Sequence, residues 1–203
     1  MDSVMGYLAP ETERVAEAAP RVVMMSVEDY LASEEDGPWR HEFVNGVTYA
    51  MAGSSARHNL IAGALYAALL GHLPARCEVF ISDVKVRIES ARDRRFYYPD
   101  VFVSCSPTDA VFTRNEPVLV AEVLSPWTER VDRGEKFEAY KRIASLQEYA
   151  ILSQDEVRLE LFRRRSGWER EVFGPDDAVT FESVDLTVKL AALYRRTGLH
   201  GSQ

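Results

Sequence analysis

The chain reads as an α/β protein, with helices packed on a mixed β-sheet. Apolar residues recur at helical spacing over residues 56–73, at Ile61, Ala64, Leu65, Ala68 and Leu69. Short runs rich in β-branched and aromatic residues follow at 77–81, 84–88, 96–103 and 117–124, separated by turn-forming residues. A second helical segment at 132–144 then precedes another strand-like run at 148–152. Helix, three strands, helix, strand is the order of an α/β sandwich around a mixed sheet, with hairpins at both ends.

Taken in order, residues 1–24 mix Pro, Glu, Ala and Thr without amphipathic period and read as a loose arm. One domain is expected over 25–197, with a tail at 198–203. Ser26, with Asp29 three residues on, marks an N-cap and a short helix through Ser33. Residues 40–44 and 47–51 flank Asn45-Gly46, a two-residue hairpin signal. Pro74 stops the 56–73 helix. In 84–88, Val84, Val86 and Ile88 alternate with Lys85 and Arg87, as in a half-buried strand. Residues 157–163 and 168–173 read as a hairpin around Ser166-Gly167, and 186–196 as a final helix.

Bulk composition excludes several classes. The 203 residues, 46% hydrophobic and 28% charged, suit a soluble globular protein. No apolar run approaches the roughly 20 residues of a membrane span, and residues 1–25 lack the pattern of a secretory signal. Cys77 and Cys105 have neither metal-ligand spacing nor a disulfide framework, so a reducing, cytoplasmic setting is expected. The net charge of −8 argues against a broad non-specific grip on nucleic acid. Arg92, Arg94 and Arg95 offer a local basic groove, whereas Arg163, Arg164 and Arg165 read as solvated turn residues.

Two acids stand out. Asp100, in Tyr98-Pro99-Asp100-Val101-Phe102-Val103, and Glu122, in Val118–Ser125, each sit inside an apolar strand-like run. Burying a charge there is costly unless a partner or a metal compensates it. Two adjacent strands can present both to one hard cation. A hydrolytic metal site also wants a group that orients or deprotonates water, and lysine suits this because its pKa moves on desolvation. The lysines are 85, 136, 141 and 189. Lys136 is best placed, four residues from both Asp132 and Tyr140, although the same spacing also describes an exposed salt-bridged face. Lys85, one strand face with Asp83, is the competitor. Glu42, just before the Asn45-Gly46 turn, is a candidate third acid. His58 reads more as a capping or packing residue than as a ligand.

With these residues in place, the sequence resembles the PD-(D/E)XK nuclease superfamily, and more closely its bacterial Uma-two family. The resemblance covers 26–193 and rests on Arg40–Gly46, His58, Tyr98–Val101, Val120–Pro126, Asp132 with Lys136 and Tyr140, and Glu148-Tyr149. It implies a restriction-endonuclease-like αβββαβ core, a mixed central sheet flanked by helices, with extra N- and C-terminal hairpins. It implies Mg²⁺- or Mn²⁺-dependent phosphodiester hydrolysis, in DNA before RNA. Asp100 and Glu122 would be the metal ligands, joined by the Val123 carbonyl, and Glu42, Asp100, Glu122 and Lys136 the catalytic set. Leu124 departs from the superfamily pattern, which has lysine there. The family often carries this change with a lysine on the following helix, which points again to Lys136. The alternative is an inactive nuclease-fold module that binds nucleic acid or protein. A homodimer is expected where both strands of a duplex are cut.

Overall fold

A computed structural model describes residues 24–51, 53–106, 108 and 110–199; the expected arm lies almost wholly outside these residues, as does most of the tail. Helix α1 (Val27–Asp36) starts where Ser26 Oγ accepts from the Asp29 amide at 3.0 Å, and runs three residues past Ser33. Strands β1 (His41–Val44) and β2 (Val47–Ala50) form the expected hairpin. Asn45 and Gly46 both have positive φ, 49° and 94°, as a tight hairpin turn demands. Helix α2 (Ala56–His72) is capped by Ser55 Oγ and stops before Pro74.

Then come β3 (Glu78–Ile81), β4 (Lys85–Glu89), β5 (Arg94–Tyr97), β6 (Val101–Ser104), the two-residue β7 (Thr113–Arg114) and β8 (Pro117–Val123). A three-residue helical turn, α3 (Glu129–Val131), leads through a π-helical turn at Asp132–Lys136 into α4 (Phe137–Tyr140). Strands β9 (Glu148–Leu152), β10 (Leu159–Arg163), β11 (Arg170–Phe173), β12 (Ala178–Phe181) and β13 (Leu186–Lys189) precede α5 (Leu190–Tyr194).

The strands form a six-stranded mixed sheet, β11-β10-β9-β8-β6-β3, and a five-stranded sheet, β2-β1-β5-β4-β7; β12 pairs with β13. The first holds the αβββαβ core, with β8 and β9 parallel and the other pairs antiparallel. On one face, Ile61, Leu65 and Leu69 of α2 pack on Val101, Val103, Leu119, Ala121 and Val123. The other face, through Phe102, Val120, Tyr149 and Ile151, meets α4 and the apolar side of the five-stranded sheet. Alternation along β8 therefore sends Val120, Glu122 and Leu124 toward α4, while its odd residues face α2.

Several expectations need correction. The apolar run 96–103 is two strands in different sheets, because the chain bends at Tyr98-Pro99-Asp100 and crosses from one sheet to the other. Asp100 thus precedes β6 rather than lying within a strand. The 132–144 helix ends at Tyr140, where Arg164 donates to the carbonyls of Lys141, at 3.1 Å, and Leu146, at 2.6 Å. Arg164 and buried Arg163, paired with Glu148 at 3.1 Å, are therefore structural rather than solvated. Residues 186–189 form a strand, since Leu186 and Val188 alternate opposite Phe181 and Val179, and helix begins only at Leu190.

Cys77 and Cys105 form a disulfide, against the expectation of free thiols. The register of β3 on β6 explains it: Glu78 faces Ser104, so the next pair outward is Cys77 and Cys105. Sequence spacing carries no trace of that pairing.

Candidate active site

The β6–β8 register sets Val101 opposite Ala121, which puts Asp100 opposite Glu122. Residues so opposed share a sheet face. The Asp100 amide donates to Glu122 Oε2 at 3.2 Å, and Asp100 Oδ2 accepts from the Val123 amide at 2.7 Å. His58, in the first turn of α2, places Nε2 3.1 Å from the same Oδ2. Two strand ends and one helix start thus fix both acids.

Lys136 enters from the π-helical turn, and its Nζ lies 2.8 Å from Glu42 Oε1, 3.2 Å from Asp132 Oδ1 and 3.5 Å from Glu122 Oε1. Tyr140, one turn on, donates to Glu122 Oε1 at 3.4 Å. Tyr149 of β9 donates to the Asp132 carbonyl at 2.9 Å and so holds the turn against the sheet. Asp132 and Lys136 are 2% and 5% exposed, which overturns the reading of their spacing as a solvated face. Glu42 reaches in from the second sheet and also accepts from the Tyr98 amide at 3.4 Å.

Glu42, Asp100, Glu122 and Lys136, the four expected site residues, therefore come together. Asp132 joins them as a fourth acid; its sequence signals were the i, i+4 spacing to Lys136 and its place in the family resemblance. Lys85 does not join. Buried at 4% exposure, it donates to the Tyr98 hydroxyl at 3.1 Å, which in turn donates to Glu34 Oε2 at 2.6 Å. Leu124 is buried in the apolar cluster beside α4 and contributes no charge to the site.

The electrostatics follow from crowding. Burial pushes the carboxyls of Glu42, Glu122 and Asp132 above the usual carboxylate range, against the pull of Lys136. Glu122 is raised furthest, since Asp132, Asp100 and Glu42 add their repulsion. Burial disfavours the Lys136 charge, yet Glu122, Glu42 and Asp132 outweigh it and hold the ammonium well above its ordinary value. His58 behaves likewise: burial opposes its charge, and Asp100 raises its pKa.

Four acids face one lysine and one histidine, so acidic groups outnumber basic ones. Asp132 Oδ1 is buried without a well-directed hydrogen bond, despite its ion-pair distance from Lys136. Among the described residues no three His, Cys, Asp or Glu side chains are placed to cage a common ion. Magnesium does not need such a cage, because it is usually held by one or two carboxylates plus water and substrate oxygens. A hard, all-oxygen donor set with more acids than bases fits that requirement.

A family model described as Uma2, putative restriction endonuclease, matches residues 27–192. Two uncharacterized proteins of Synechocystis sp. (strain ATCC 27184 / PCC 6803 / Kazusa) are similar along most of their length. One, slr1290, is 35% identical over 176 residues, covering 84% of this chain and 92% of its own. The other, sll1609, is 33% identical over 148 residues, covering 70% and 81%. The fold matches the crystal structure of a putative nuclease belonging to DUF820 from Anabaena variabilis ATCC 29413, with a TM-score of 0.70 and 17% identity over 85% of this chain and 99% of that one.

Proposed function

We propose that this chain, which belongs to the Uma2 family, is a metal-dependent endonuclease that hydrolyses phosphodiester bonds in DNA. The observation that carries the reading is the register that opposes Asp100 and Glu122 beside Lys136. Asp100 and Glu122, with the Val123 carbonyl, are the residues to hold Mg²⁺ or Mn²⁺. When bound, such a cation supplies positive charge to a phosphoryl oxygen and makes nearby water more acidic.

The chain's own residues do the rest. His58 and the Val123 amide hold Asp100 in place, so its free oxygen is presented without a rotamer search. Lys136 offers an ammonium to the charge that builds on the phosphoryl group, in a dry site where each such contact counts for more than in water. Glu42, 2.8 Å from the Lys136 ammonium, is the candidate to orient water through the lysine. Leu124 leaves the usual lysine position apolar, and Lys136 reaches the same acid from the neighbouring turn.

The test is nicking of supercoiled plasmid and of single-stranded circular DNA with Mg²⁺ or Mn²⁺, comparing wild type with Asp100→Ala and Lys136→Ala. Wild type is expected to cut and both variants to lose at least about a hundredfold in rate. Equal cleavage by all three would identify a contaminant and favour the second reading, a non-catalytic nuclease-fold module, which the net charge of −8 supports. Linear product appearing in step with nicked circles would point to the homodimer expected for double-strand cleavage.

A further inference from the structure

A second buried polar cluster meets the acids at one residue, Tyr98. Tyr98 begins the three-residue crossing 98–100, which lies between β5 and β6 and outside both strands. Its amide donates to Glu42 Oε1 at 3.4 Å, while its hydroxyl donates to Glu34 Oε2 at 2.6 Å. Glu34 is 3% exposed and sits in the last turn of α1. The same carboxylate accepts from the His41 amide, at 3.1 Å to Oε1 and 3.2 Å to Oε2, and its Oε1 lies 3.0 Å from His41 Nδ1. His41 directly precedes Glu42 in β1. One carboxylate thus ties the strand that carries Glu42 to the crossing that carries Asp100.

Lys85 sets the direction of this link. As an ammonium it can only donate, at 3.1 Å, to the Tyr98 hydroxyl oxygen, so the phenolic proton is turned toward Glu34. The Tyr30 hydroxyl strengthens the grip on β1 by donating to the His41 carbonyl at 2.6 Å. The other end of the crossing is held too, because the Asp100 carbonyl accepts from the Ser82 amide at 3.2 Å. Glu34 is a costly choice for stability alone. The C-terminal turn of a helix disfavours negative charge, and this one holds no basic residue. Among the described residues His41 is the only ion-pair partner of Glu34. Yet every hydrogen bond its carboxylate accepts comes from a segment that carries a site acid.

On the nuclease reading, which this step presupposes and extends, we infer that Glu34 is a positioning residue of the metal site, setting Glu42 and Asp100 relative to each other through His41 and Tyr98. His58 and the Val123 amide hold the Asp100 side chain; Glu34 holds the backbone that delivers it. A functional site needs its groups placed to within about 0.5 Å, and partners that orient metal ligands typically carry about 10- to 100-fold in metal affinity.

The test is Mn²⁺ binding without DNA, followed by electron paramagnetic resonance at a temperature where each variant is folded. Glu34→Ala is expected to weaken Mn²⁺ binding about tenfold, and Glu34→Gln, which keeps an acceptor and the side-chain shape, to recover most of that loss. Tyr98→Phe keeps the ring and removes only the hydroxyl; it should also lose about tenfold, and it carries the test should Glu34→Ala fail to fold. Val179→Ala, a core truncation in the separate β12–β13 pair, should leave Mn²⁺ affinity at the wild-type value. Wild-type affinity in Glu34→Ala or in Tyr98→Phe, no recovery in Glu34→Gln, or an equal loss in Val179→Ala would overturn the inference and leave the metal-site reading standing. Failure of wild type itself to bind Mn²⁺ would overturn both.

Discussion

Replacing Lys136 by methionine keeps most of the unbranched side chain, one atom short, and removes its charge. The ammonium sits 2.8, 3.2 and 3.5 Å from three carboxylates, and among the described residues it is their only ion-pair partner. At an effective dielectric of about 20, each contact is worth roughly 5 kcal/mol before desolvation. Desolvation of the ammonium and repulsion among the acids offset most of that, and removing one partner of a buried pair typically costs about 3–5 kcal/mol. At pH 7 the variant should therefore melt about 10 °C lower than wild type, given about 2–4 °C per kcal/mol for a domain of this size. The sign of the pH dependence follows from the acids left behind. Their folded-state pKa values lie above the unfolded ones, so they destabilise the fold above the unfolded pKa, and that penalty shrinks as pH falls and they take up protons. The gap between Lys136→Met and wild type should narrow from pH 7 to pH 5, read by urea denaturation. A variant as stable as wild type at pH 7, or a gap that widens toward pH 5, would refute Lys136 as the buried counterion.

Other outcomes follow from other parts of the molecule. Adding Mn²⁺ should raise the melting temperature of wild type, and Asp100→Asn combined with Glu122→Gln should abolish that rise whether or not any DNA is cut. Glu160, held below the usual carboxylate range by Arg133, Arg158 and Arg170 in spite of its burial, stabilises the fold above its unfolded pKa. That contribution should fade as pH drops below about 4, and Glu160→Gln should flatten the acid limb of a pH–stability curve. Cys77→Ala with Cys105→Ala should cost about 3 kcal/mol in urea denaturation, because the bond closes a loop with a sequence separation of 28 residues. Gly46→Ala, forced to φ +94°, should cost about 1 kcal/mol or more by the same measurement.

Local elements were legible wherever one residue type has one mechanical use. Asn45-Gly46 announced its hairpin through positive φ, Ser26 its cap, and Pro74 the end of α2. The failures share a cause. The run 96–103 is uniformly apolar because both of its halves are buried, each in a different sheet, and only Pro99 hinted at the bend between them. Residues 186–189 fit either period, and the presence of β12 chose the strand. The pair Asp132 and Lys136 has the spacing of any surface ion pair; Tyr149, the acids and the π-helical turn make it a buried one.

The sequence by itself determined the candidate groups: an acid inside each of two apolar runs, a scarcity of lysines, and a leucine where the superfamily pattern has lysine. Spacing cannot say which side chains meet, because meeting depends on register and on crossings between sheets. Packing decided that Asp100 opposes Glu122, that Lys136 rather than Lys85 stands among the acids, and that two distant cysteines are bonded. Such facts arise when separate segments are buried against one another, a three-dimensional condition that no stretch of chain contains alone.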